Sequence, residues 1–62
     1  MMWIAVSITL LVNGDERRVE NDVLTEDACN AWIHDMSLMP NPSIDPVSGL
    51  GLKERHYICE PA

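Results

Sequence analysis

Ile4, Val6, Ile8, Leu10 and Val12 alternate with Trp3, Ala5, Ser7, Thr9 and Leu11. A period of two predicts a β-strand, and the β-branched residues of the first set favour it further. The strand runs into Val12-Asn13-Gly14-Asp15. Asn-Gly predicts a two-residue type I′ hairpin turn, because both central positions of that turn need positive φ. Such a turn sets Val12 opposite Asp15, Ile8 opposite Val19 and Ile4 opposite Val23, so the apolar residues of both strands meet on one face. The expected hairpin is Met2–Val12 with Glu16–Val23, and its core face is Ile4, Val6, Ile8, Leu10, Val19 and Val23. On the other face Thr9 meets Arg18, Ser7 meets Glu20 and Ala5 meets Asp22, which predicts a mostly wet surface.

The period then changes. Ala28, Cys29, Trp32, Ile33, Met36 and Met39 recur at intervals of three and four, the spacing of one helix face. Thr25 is placed to cap this helix, and Glu26 and Asp27 in its first turn suit the positive end of the macrodipole. Leu24 lies where it can staple against Cys29. The predicted helix spans Glu26 to Leu38 and is stopped by Pro40. Pro40–Leu52 holds three prolines, two glycines and a single charge, and reads as irregular chain. It is long beside the ~4–6 residues of most connections. Lys53–Glu60 closes the chain as a strand, with Tyr57 and Cys59 on one face and His56 and Ile58 on the other. In order this predicts β-β-α-β: one α+β domain over residues 1–62, a three-stranded antiparallel sheet in the order 2-1-3 with one helix on one face.

Composition narrows the function. A chain of 62 residues buries only about 60% of the surface it exposes when unfolded. Its net charge of −6 makes it a poor candidate for a phosphate-backbone binder, which needs clustered Lys and Arg. Three scattered glycines leave no nucleotide-cradling loop. The uncharged run Met1–Val12 is shorter than the ~20 residues of a membrane span. It also lacks the positive start of a signal peptide. Strand is the better reading, and a cytoplasmic chain with no membrane partner is expected.

Cys29 and Cys59 fall on the helix's apolar face and the last strand. They read equally as two buried thiols or as a disulfide stapling helix to sheet. A zinc site with His34 and His56 fails on geometry. Five helical residues turn His34 well away from Cys29, and an odd strand spacing sends His56 and Cys59 to opposite faces. No catalytic set emerges either. Cys29 with His34 lacks a third orienting group, and Glu54, His56 and Glu60 read as solvated edge protection. Asp22, Glu26 and Asp27 lack the alternate spacing of a calcium loop. The chain reads as non-enzymatic, with no cofactor and no metal.

Two surfaces are left over. Trp3, Leu11 and Leu24 are expected on the sheet face away from the helix, where they offer a homodimer contact. Ile44, Val47 and Leu50 stand among prolines in the long loop, which either roofs that face or binds a partner.

Ala28-Cys29 with Trp32 on the helix, and Tyr57, Cys59 and Glu60 as a terminal Y-x-C-E, resemble the small acidic proteins common in phages and prophages. The resemblance implies a binder that blocks a host enzyme or defence complex, working in the host cytoplasm. The residues themselves point to an interaction module that steers onto a basic protein surface. The acids expected to act are Glu20, Asp22, Glu26 and Asp27, with Ile44, Val47 and Leu50 as the alternative contact. A second possibility is a secreted or periplasmic domain held together by its disulfide.

Overall fold

The computed structural model describes residues Met1–Ala62. Strands β1 (Met2–Leu11) and β2 (Glu16–Thr25), helix α1 (Glu26–Ser37) and strand β3 (Leu52–Pro61) follow one another along the chain. The strands form an antiparallel sheet in the order β2-β1-β3, with the most apolar strand in the centre. This is the expected α+β layout.

The first turn differs from the expected one. Leu11 N donates to Asp15 O at 2.8 Å and Gly14 N to Leu11 O at 3.0 Å, so the loop is three residues, Val12-Asn13-Gly14. Asn13 keeps a negative φ while Gly14 adopts +92°, the arrangement of a type I turn followed by a left-handed glycine. Asn13 Oδ1 accepts from Asp15 N at 3.0 Å, a local side-chain bond that closes the loop. The pairing consequently slips, setting Val19 opposite Ser7 and Arg18 opposite Ile8. A bulge then admits Asn21 as an extra residue opposite Ala5 and Val6, and this restores Val23 opposite Ile4.

The larger correction concerns the faces. Residues opposed across antiparallel strands point to the same side. Cys59 opposes Ala5, Tyr57 opposes Ser7 and Arg55 opposes Thr9. Cys59 is bonded to Cys29 of α1. Helix α1 therefore covers the face of Trp3, Ala5, Ser7, Thr9 and Leu11, and the face of Ile4, Val6, Ile8 and Leu10 lies outward. Bulk accounts for the choice. Ala5, Ser7 and Thr9 are small, so the helix approaches closely enough for Cys29 and Cys59 to stand 6.2 Å apart at Cα. Trp32 fills the space beside them and meets Tyr57 edge-on, with ring centroids 5.4 Å apart. Ala5, Thr9, Leu11 and Cys29 are buried there, while Val19, expected in the core, is 40% exposed.

Thr25 caps α1 as expected, its hydroxyl accepting from Ala28 N at 3.3 Å. The helix tightens at its end, where Leu38 N and Met39 N donate to Asp35 O and Met36 O. The segment before β3 is not irregular throughout. Asp45 N donates to Leu50 O at 2.8 Å, Leu52 N donates to Ser43 O at 3.0 Å, and Ile44 bridges Gly51. A tight hairpin results, turned by Asp45-Pro46-Val47-Ser48-Gly49, with Gly49 at φ +75°. It is tied to the end of β1 through Val12 N and Gly51 O at 2.9 Å.

Candidate interaction surface

Strand parity builds the outward face. The central row is Ile4, Val6, Ile8 and Leu10 of β1. Across it, β2 presents Glu16, Arg18, Glu20 and Val23, and β3 presents Glu54, His56, Ile58 and Glu60. Ile4, Ile8, Leu10 and Ile58 are half-buried by their neighbours, and Val23 is 51% exposed. Val6 alone is sealed, at 0% exposure. Arg18 opposes Ile8 and Glu60 opposes Ile4, so the ion pair between Arg18 and Glu60 runs diagonally over Val6. Arg18 also lies 3.8 Å from Glu20, and His56 lies 3.2 Å from Glu54. The result is an apolar centre line flanked by four glutamates, against one arginine.

On the helix side of the sheet, next to the first turn, Arg17 enters a charge clamp. Asp45, fully buried, accepts a bidentate pair of bonds from Arg17 and two more from Ser48, N at 3.0 Å and Oγ at 2.7 Å. The Arg17 bond holds the Asp45 carboxyl well below the usual carboxylate range against the opposing cost of burial, and Ser48 adds to the effect. Arg17 is raised in turn, chiefly by the same bond. Nearby, Arg55 Nε donates to Thr9 Oγ1 at 3.1 Å and Asn21 Nδ2 to Ser7 Oγ at 2.8 Å. The Arg17–Asp45 pair ties the loop hairpin to β2, and the other two bonds join neighbouring strands on the helix side of the sheet.

The expected site residues scatter. Glu20 lies on the outward face, but the bulge at Asn21 turns Asp22 to the helix side, and Glu26 and Asp27 occupy the first turn of α1. All are exposed, yet they do not form one patch. Trp3, Leu11 and Leu24 point toward the helix side rather than away from it. Leu11 is buried, and Trp3 and Leu24 are half-buried. Ile44, Val47 and Leu50 remain open at 57%, 78% and 37%, so the loop does not hide them. Cys29 and Cys59 are spent in their disulfide, which removes both thiolates from any metal or nucleophile role. Glu16, Glu54 and Glu60 join this face with no partner role legible in the sequence, where Glu54 and Glu60 read as edge protection. Their shared face follows from strand parity once the helix side is known.

No family model, curated protein or solved structure matches this chain. No helix is long and apolar enough to cross a membrane.

Proposed function

We propose that this chain is a small, acidic, non-enzymatic protein-interaction module whose partner presents a basic surface. One observation carries the reading: the sheet face away from α1 holds a half-buried apolar row, bordered at Ile8 and Ile58 by Met36, Met39 and Asn41 and left open at Val23, inside a rim of glutamates. A row of this kind in contact with water is the mark of a partner site in a small domain. Surface acids steer a basic partner into encounter, and they make capture sensitive to salt. The resemblance to small phage and prophage proteins extends the proposal to an inhibitor of a host or defence protein.

The test is partner capture at low and high ionic strength with the parent chain and two variant sets. Neutralising Glu16, Glu20 and Glu54 on the rim of that face should slow capture at low salt. Changing Ile44, Val47 and Leu50 to Ser tests the loop as the contact instead. A chain that captures no protein at any ionic strength contradicts the proposal.

The Cys29–Cys59 bond favours a second reading, a secreted or periplasmic disulfide-stapled domain, since such bonds persist in oxidising compartments. Mass spectrometry after thiol blocking in the native cell decides between them. A quantitative disulfide supports the second reading, and two alkylated thiols support a cytoplasmic chain.

A further inference from the structure

The outward sheet face has a shape and a charge pattern that specify an occupant. Its apolar line follows β1 from Ile4 to Leu10, or ~20 Å at the rise of an extended strand. The flanking glutamates stand on β2 and β3, one strand to either side. At ~4.8 Å between strands, the two acidic rows are ~10 Å apart. An α-helix with its side chains is ~10–12 Å across, and ~13 residues of it match the length of the line. From the occupancy reading proposed above, and resting on it, we infer that this face receives a basic amphipathic helix of a partner protein. The helix lays its apolar stripe along Ile4, Ile8 and Leu10, with Lys or Arg on each flank reaching Glu16 and Glu20 on one side and Glu54 and Glu60 on the other.

Charge complementarity selects this occupant over a second copy of the chain. Two such faces set together would oppose one glutamate-rich rim with another, and like charges in close opposition work against association. An anionic lipid surface is disfavoured on the same ground. The Arg18–Glu60 pair fits the inference too. It shields Val6 in the free chain, and a cationic side chain of the partner can take over Glu60 when the helix docks. An extended basic peptide lacks a reason to prefer this face, because the free backbone edges lie on β2 and β3 rather than over β1.

A synthetic amphipathic Leu/Lys helix, compared with a scrambled peptide of the same composition, tests the inference by calorimetry on the disulfide-bonded chain. The helix should bind one to one, and the scrambled peptide roughly tenfold more weakly. Binding should weaken as salt shortens the Debye length from ~30 Å at ~0.01 M to ~3 Å at ~1 M. The triple variant Glu16→Gln/Glu20→Gln/Glu54→Gln keeps the Arg18–Glu60 bridge and should bind about tenfold more weakly. Asp22→Asn/Glu26→Gln/Asp27→Asn removes the same charge from elsewhere and should change affinity less than about twofold. Ile8→Thr, which retains a β-branched side chain, should weaken binding several-fold with an unchanged circular dichroism spectrum.

Equal losses from the two triple variants would overturn the docking surface while leaving the interaction reading intact, since only net charge would then matter. A loss confined to Ile44→Ser/Val47→Ser would do the same and move the contact to the loop. Binding of neither peptide at low salt would remove both the surface and the basic-partner reading. A peptide-independent dimer dissolved by Ile8→Thr, or binding to phosphatidylglycerol vesicles instead of the peptide, would overturn the occupant.

Discussion

Breaking the Cys29–Cys59 bond should bring this chain to the edge of unfolding. The bond closes a loop with a sequence separation of 30. By the chain-entropy relation, a cross-link of that span destabilises the unfolded ensemble by about 3.5 kcal/mol. A chain of 62 residues has a total stability of about 3–9 kcal/mol at typical values per residue. Loss of the bond therefore removes between a third and the whole of it. Cys29 is fully buried between helix and sheet, so packing must be kept apart from cross-linking. Urea unfolding followed by tryptophan fluorescence does this with three samples: oxidised chain, chain reduced by a phosphine, and Cys29→Ala/Cys59→Ala. The reduced chain retains both sulfur atoms and reports the cross-link alone. The alanine variant adds the loss of packing. The reduced chain should lose about 3.5 kcal/mol, a fall in Tm of roughly 15–25 °C. A loss below about 1 kcal/mol would refute the reasoning, because the bond would then not be restraining the open chain.

Other outcomes follow from single contacts. Trp32→Ala should cost about 2–4 kcal/mol by thermal melting, less than a fully buried tryptophan, since Trp32 is half-buried against Tyr57. Gly14→Ala should cost about 1–2 kcal/mol. A Cβ there meets nothing within 4 Å, so the penalty is one of backbone at φ +92°, and Gly14→Asn should recover part of it. Asp45 gives the acid limb its shape. Its carboxyl is held below the usual range by Arg17 and Ser48, so its contribution is fully present above the unfolded value of about 3.9. That contribution is lost as pH falls below this value toward the depressed folded one. A urea midpoint series downward from about pH 5 should therefore be shallower for Asp45→Asn than for the parent.

Much of the fold is legible in the residues. Alternation in β1, the Thr25 cap and the three-four spacing of α1 place the elements to within a residue or two, because each signal is local. What alternation does not carry is which face receives the helix. Ile4, Val6, Ile8 and Leu10 form the more apolar row, yet the helix sits over Ala5, Ser7 and Thr9, where small side chains leave it room. The parity of Cys59 holds the missing information. It shares a face with Tyr57 and Ala5, so once the disulfide to Cys29 is accepted the helix can lie only on that side. The Asn13-Gly14 pair marks the turn correctly but not its length, since an Asn side chain can close either form through its own backbone bond. The bulge at Asn21 leaves no pattern of its own, and it separates Glu20 from Asp22 and breaks the expected acidic patch. The Asp45 clamp joins residues 28 apart in sequence, beyond the reach of any local pattern.

Which sheet face lies open is the point on which the surface, its charge pattern and the proposed partner all depend. Solvent paramagnetic relaxation by a neutral gadolinium chelate, read on the methyl groups of the oxidised chain, measures it directly. The methyls of Ile4, Ile8, Leu10, Ile58 and Val23 should relax strongly, while Ala5 and Leu11 stay protected. Strong relaxation at Ala5 and Leu11 with protection at Ile4, Ile8 and Leu10 would contradict the account, because the helix would then cover the apolar row.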